Sequence, residues 1–152
     1  MNIKILGTLA AVALLSACSD SATTSTAAVS SGPVPGSQED LVATVGDRVF
    51  YDLALSTLRS DARTTLERQA AWLTKYSTNN VQVAGNCDER GTQAFNIALG
   101  NRRASAARDF LVAKGVAAGR ITTISFGKDR PTALGSNEQA WSQNRNAITS
   151  VR

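Results

Sequence analysis

Between Val81 and Lys114 the chain reads VQVAGNCDERGTQAFNIALGNRRASAARDFLVAK, a short strand, a charged loop and a long helix in succession. Val81 and Val83 alternate with Gln82, the period-two pattern of a half-buried strand. Gly85 then releases the backbone into Asn86-Cys87-Asp88-Glu89-Arg90-Gly91. Beyond the loop, Leu99, Ala106 and Phe110 recur at helical spacing, and the remaining slot of that stripe is Arg103. At about 100° per residue these four side chains fall in one sector of a helix. Whatever the chain folds into must therefore place a guanidinium on the buried side of a strand–helix unit and satisfy it there.

An arginine in apolar surroundings is costly unless a carboxylate meets it, and Asp88 in the preceding loop is the nearest candidate. Three arrangements stay open. Asp88 and Arg103 can pair internally, or Arg103 can run along its aliphatic stem to the surface. Alternatively the two form a site for a zwitterion, with Asp88 meeting an ammonium and Arg103 gripping a carboxylate bidentately. An unbroken helix from Thr92 to Arg103 climbs roughly 16 Å at ~1.5 Å per residue, too far for the two to share a small ligand. Glycine in a helix costs about 1 kcal/mol relative to alanine and often marks a boundary. Gly100 therefore predicts an interruption near Leu99–Asn101, leaving Arg103 in the first turn of the main helix and facing Asp88.

The amino terminus speaks to compartment. Met1–Lys4 is a short basic region, and Ile5–Leu15 is an apolar run too short to span a bilayer. Leu15-Ser16-Ala17-Cys18 follows and resembles the bacterial lipobox. That resemblance implies cleavage before Cys18 and acylation of Cys18, and Ser19 in place of aspartate points to the outer membrane. Several acyl chains give stable anchoring where one does not. Residues 1–17 thus read as a lipoprotein signal peptide, and 18–40 as the lipidated cysteine and a flexible linker rich in Ser, Thr, Ala, Gly and Pro. Residues 41–152 read as one folded domain facing the periplasm.

The chain contains no histidine and two cysteines. With Cys18 lipidated, Cys87 has no intramolecular partner, and with no histidine it has no usual base. This argues strongly against thiol and serine catalysis of the ordinary kind, the expectation is a protein that is not an enzyme, and nothing calls for a cofactor or a metal. The net charge of +4 suits an anionic polymer, but export and the lack of a basic aromatic platform argue against nucleic acid.

Within the domain, Val49-Phe50-Tyr51 marks a strand and Ser60 caps a helix through Tyr76, with Ala62, Leu66, Ala70 and Leu73 as its apolar stripe. Trp72 and Tyr76 flank that stripe as packing residues. Ile121–Phe126 is a third strand, Gly127–Asn137 a loop, Glu138–Gln143 a short helix and Asn146–Val151 the last strand. The fold class is α+β: a βαβαββ two-layer sandwich with two long helices on one face of a small mixed four-stranded sheet.

Several motifs now stand in order: Asn86–Gly91, Phe95-Asn96, Leu99-Gly100, Arg102-Arg103-Ala104, Ser125–Pro131, Ala133-Leu134-Gly135 and Trp141–Arg145. Together they resemble the OmpA-like peptidoglycan-binding domain over roughly Asp47 to Val151. The resemblance implies an OmpA C-terminal-like fold and non-covalent binding of diaminopimelate in the stem peptide of peptidoglycan. It assigns Asp88 and Arg103 to the ligand's charges, sets Arg90, Asn96 and Leu99 around the same pocket, and makes Tyr51–Leu55 the opposite wall. It further implies an outer-membrane lipoprotein of the Tol–Pal system with a TolB-like periplasmic β-propeller as partner; the alternative is a wall-binding lipoprotein outside that system. Departures are Asn86-Cys87 where relatives carry His-Ala, Ala54 where aspartate is common, and Arg145-Asn146 in place of Arg-Arg.

Overall fold

A computed structural model describes residues 32–152. The leader, the lipobox with Cys18 and most of the expected linker lie outside the described residues. Helix α1 (Gln38–Thr44) precedes strand β1 (Arg48–Phe50), helix α2 (Ser60–Lys75), strand β2 (Val81–Asn86) and helix α3 (Gln93–Ala113). A short 3₁₀ turn, Ala118–Arg120, leads into strand β3 (Ile121–Gly127), helix α4 (Glu138–Asn144) and strand β4 (Asn146–Val151). The strands lie in the order β1-β4-β2-β3. β2 and β3 are parallel, while β4 is antiparallel to both β1 and β2. The α+β, βαβαββ skeleton expected from the sequence is the one observed, with α1 added ahead of it.

Alternation along the strands selects the core. Val49, Val81, Val83 and Ala147 point inward and meet Ala62, Leu66, Ala70 and Leu73 of α2, all of them buried. Each fully buried leucine here, such as Leu66, Leu73 and Leu111, contributes about 1.5–3 kcal/mol. The core cluster closes among residues from Leu41 to Ala147, so this unit carries its own core, the requirement for folding alone. Among the described residues no helix is long and apolar enough to cross a membrane.

Four details differ from expectation. Residues 37–40, read as the end of a linker, already belong to structure: Ser37 caps α1 through the Asp40 amide. The Asp40 carboxylate in turn accepts the Gly36 N–H at 2.8 Å and the Trp72 indole N–H at 3.0 Å. Trp72 is a packing residue, tilted on Tyr76 with ring centroids 4.7 Å apart, but it is also a hydrogen-bond donor. The N-cap of α2 is Arg59 rather than Ser60, because Asp61 already accepts the Ala62 amide at 2.9 Å and draws the Arg59 guanidinium to 3.2 Å.

The third and fourth concern α3, which runs unbroken from its Thr92 cap to Ala113. Gly100 does not interrupt it. A Cβ there would lie 2.2 Å from the Ser125 hydroxyl and 2.8 Å from the Gly85 carbonyl, and one at Gly85 would lie 1.8 Å from the Gly100 carbonyl. The two glycines face each other because helix and sheet backbones touch at that point. The buried face is also rotated from the expected stripe: Asn96, Leu99, Arg103, Ala104, Ala107 and Leu111 are buried, whereas Ala106 and Phe110 are half-buried.

Candidate functional site

The contact between Gly85 and Gly100 sets the geometry of the site. Because α3 runs back along β2, Arg103 comes to rest beside the last residue of β2, Asn86, and only two residues short of Asp88. The Thr92-to-Arg103 climb therefore never separates the two side chains, and no break in the helix is needed. Asp88, Arg90, Asn96, Leu99 and Arg103 all line one cleft of roughly 190 Å³, and Leu53 and Ala54 of the β1–α2 loop form its opposite wall. That is below the ~300 Å³ at which pockets begin to hold drug-sized molecules, and suits a head group rather than a whole chain.

Arg103 has no solvent exposure, yet among the described residues no carboxylate meets it. Its guanidinium donates to three backbone carbonyls: Asn86 at 2.8 Å, Leu55 at 2.9 Å and Asp52 at 3.0 Å. The internal Asp88–Arg103 pair and the snorkelling arginine both give way to this carbonyl cage. Burial pulls its pKa down from the ordinary arginine value. The Tyr51 ring lies 5.2 Å from the guanidinium. Its hydroxyl donates to the Arg103 carbonyl at 2.8 Å, and burial pushes that hydroxyl's pKa up. Aiming two loop carbonyls at one cation has a backbone cost. The Leu55 amide closes a turn onto the Asp52 carbonyl at 3.2 Å, and Ala54 inside it sits at φ 55°, where a residue with a Cβ is strained by about 1–2 kcal/mol.

Asp88 faces the same cleft from the other side and is 5% exposed. It accepts the Arg90 amide at 3.1 Å, the Arg90 guanidinium at 2.6 Å and the Arg145 guanidinium at 3.4 Å. Burial alone would raise its pKa, but the hydrogen bonds from Arg90 and Arg145 outweigh that and hold the carboxyl below its ordinary value. Arg90 stacks over Trp141 at 4.1 Å, and the Trp141 indole donates to Glu89 at 2.9 Å. Asn96 is a positioning residue: its amide donates to the Arg90 carbonyl at 2.9 Å and ties the charged loop to α3. Leu99 supplies an apolar patch between the two charges. Cys87 is buried, its thiol facing the Asn96 carbonyl at 3.4 Å, and burial pushes its pKa up, the opposite of an activated nucleophile.

Sequence reasoning missed Arg145 as a site residue. Its guanidinium links the Tyr51 carbonyl at 3.1 Å, Asp88 and the Glu138 carboxylate at 2.6 Å. The available signal was its place directly after α4 in the Trp141–Arg145 motif, where the short helix α4 separates it from Glu138.

A family model described as the OmpA family matches residues 50–145, which takes in every residue of the cleft. The chain belongs to the OmpA family. It is 54% identical over 117 residues to a peptidoglycan-associated lipoprotein of Mesorhizobium japonicum, covering 77% of this chain and 70% of that one. A peptidoglycan-associated lipoprotein of Pasteurella multocida is 38% identical over 145 residues, 95% of each chain. The crystal structure of the peptidoglycan-associated lipoprotein from Burkholderia pseudomallei superposes with a TM-score of 0.69 at 31% identity, over 74% of this chain and all of that one. This OmpA family member thus has both its fold and its cleft inside the region shared with those relatives.

Proposed function

We propose that the chain is an outer-membrane lipoprotein whose periplasmic domain holds peptidoglycan non-covalently at the diaminopimelate residue of the stem peptide, tethering membrane to wall. The observation that carries this reading is the pairing, in one small cleft, of a carboxylate with a buried guanidinium that no carboxylate meets. Diaminopimelate ends in an ammonium and a carboxylate on one carbon. Asp88 takes the ammonium, joining or displacing Arg90. Arg103 has five N–H donors and spends three on carbonyls, so two remain for the carboxylate. Leu99 and Leu53 contact the aliphatic stem. Anchoring through Cys18 confines the domain near many wall sites, so one modest pocket suffices. The domain acts as a binding module and not as an enzyme.

The Tol–Pal assignment and the TolB-like partner belong to the same proposal. Leu53 and Phe95 at the cleft, Leu55 beside it and Leu134 on the β3–α4 loop are large apolar side chains left exposed, a rim suited to a protein partner that overlaps the wall site. Crosslinking in cells that captures a periplasmic β-propeller supports the assignment; wall binding without that capture favours a lipoprotein outside the system.

The direct test is co-sedimentation of residues 32–152 with purified sacculi. Asp88→Ala should weaken binding at least tenfold with the melting transition still cooperative, free diaminopimelate should compete, and walls with lysine in place of diaminopimelate should bind poorly. Equal binding to both wall types, or by Asp88→Ala, removes the site assignment.

A further inference from the structure

The two long helices cover one face of the sheet, and strand alternation leaves the other face with Phe50, Ile148, Ala84, Ile124 and Phe126 across all four strands. Apart from the buried Ala84, these side chains are half-buried, and among the described residues both long helices lie on the opposite side. Two adjoining hollows on this face share Ala84, Phe126, Arg130 and Ser150. One extends to Asn86 and Ile148, the other to Gln82, Ile124 and Arg152. They form one shallow groove along β2. From Gln82 to Asn86 it measures about 13 Å at ~3.3 Å per residue, the length of four extended residues.

The groove carries cations that meet no carboxylate, and a carbonyl that meets no donor, among the described residues. Arg130 lies 3.7 Å over the Phe126 ring, and among the described residues the Arg152 guanidinium donates only to the neutral Gln82 side chain. Among the described residues neither has a carboxylate within ion-pair distance, unlike Arg48, Arg90 and Arg145. Asn86 adds an acceptor with no donor. It is 3% exposed and among the described residues its Oδ1 has no hydrogen-bond partner. Its orientation is dictated by its neighbour. The Asn146 amide nitrogen must face the Gln143 carbonyl at 2.6 Å, so the Asn146 Oδ1 faces Asn86 and takes its N–H at 2.8 Å. Turning Asn86 over would set oxygen against oxygen. The groove thus presents cations lacking anions, an acceptor lacking a donor, and aromatic and branched walls lacking cover.

We propose that this face docks a partner protein through an extended segment that alternates carboxylate and apolar side chains. Carboxylates meet Arg130 and Arg152, a backbone or side-chain N–H serves Asn86, and apolar side chains lie on Phe126, Ile124 and Ile148. A small anion would use only the arginines. A second copy of this chain would bring arginine against arginine. The proposal does not depend on the wall cleft, which lies at the opposite side of β2 on the helix-covered face.

The test is a two-dimensional NMR titration of ¹⁵N-labelled residues 32–152 with an acetylated, amidated hexapeptide alternating glutamate with leucine and phenylalanine. The expected result is perturbation of the Ala84, Ile124, Phe126 and Ser150 amides at submillimolar peptide. Affinity should fall at least tenfold with glutamine in place of glutamate, and by as much in Arg130→Glu/Arg152→Glu. Sacculus binding by that double variant should be unchanged, which separates this proposal from the wall reading. A flat titration, perturbation confined to residues 88–103, equal binding of the glutamine peptide, or self-association through this face in sedimentation each overturns it.

Discussion

Two arginines at opposite ends of the domain make the same inventory of hydrogen bonds and do different things. Arg103 donates to the carbonyls of Leu55, Asn86 and Asp52; Arg120 donates to those of Asn79, Leu73 and Tyr76. For Arg120, two of those carbonyls belong to the end of α2, where a cation meets the negative end of the helix dipole and closes orphan acceptors. The side chain stays half-exposed, so the charge keeps part of its hydration. Arg103 has no exposure, and its carbonyls come from a loop and a strand end that have no other reason to converge. A half-exposed arginine completing a helix is ordinary architecture. A fully buried one, with a strained loop bent toward it in the lining of a cleft, is what the wall-binding proposal rests on.

The largest expected effect tests that contrast directly. Arg103→Met should cost about 3–5 kcal/mol, because it strips buried carbonyls of their donors and lets the β1–α2 loop go. Arg120→Met should cost about 1–2 kcal/mol, since water can reach the carbonyls it leaves. Chemical denaturation measures both. Sacculus binding should vanish in the first and persist in the second at temperatures where both remain folded. Equal costs with equal binding would erase the distinction between the two ends.

A glycine at each end sharpens it further. Gly100→Ala gains about 1 kcal/mol in helix propensity, but its Cβ meets the Ser125 hydroxyl at 2.2 Å and the immovable Gly85 carbonyl at 2.8 Å. The net result should be a loss of about 1–3 kcal/mol, with weakened wall binding as α3 shifts away from β2. At Gly119, next to Arg120, an added Cβ would meet nothing within 4 Å. Gly119→Ala should be neutral or stabilising by up to about 1 kcal/mol through the unfolded chain, with binding unchanged. Thermal melts of the two variants give the comparison.

Gly100 also shows what the sequence could and could not reveal. Strand and helix periodicities located the four strands and α2, α3 and α4 within a few residues, and the unusual Arg103 marked the cleft, because both are local properties of the chain. Gly100 looked like a helix boundary, since propensity is also local; its real role is a backbone contact with Gly85, fifteen positions earlier. The carbonyl cage was invisible for a related reason. Backbone acceptors are the same at every residue, so nothing in the letters at Asp52 and Leu55 announces that their carbonyls turn toward Arg103. Arg145 was hidden because its partners, Asp88 and the Tyr51 carbonyl, reach it only through the sheet. Helix α1, capped by Ser37, was hidden because Asp40 looks like a linker residue until Trp72 finds it.

The smallest expected effect concerns how each end holds a carboxylate. Asp88 and Asp40 both have pKa values below the ordinary one. For Asp88, burial works against the charge and the Arg90 and Arg145 guanidinia overcome it; for Asp40, the Gly36 backbone N–H leads, burial opposes, and the Trp72 indole helps. A carboxyl depressed in the folded state stabilises fully above its unfolded value, near ~3.9, and that contribution is lost as pH falls through the lower folded value. Both ends should therefore weaken below about pH 4, and Asp88→Asn and Asp40→Asn should each flatten part of the acid limb of stability against pH. Salt tells them apart. Guanidinium–carboxylate attraction is screened at ~1 M ionic strength, where the Debye length is about 3 Å, whereas neutral N–H donors are insensitive. The share of acid sensitivity removed by Asp88→Asn should shrink on going from low salt to about 1 M NaCl, and the share removed by Asp40→Asn should shrink far less, since the Lys75 attraction is the least of its causes. If both shares respond alike to salt, the cleft end owes its charge balance to something other than its two arginines.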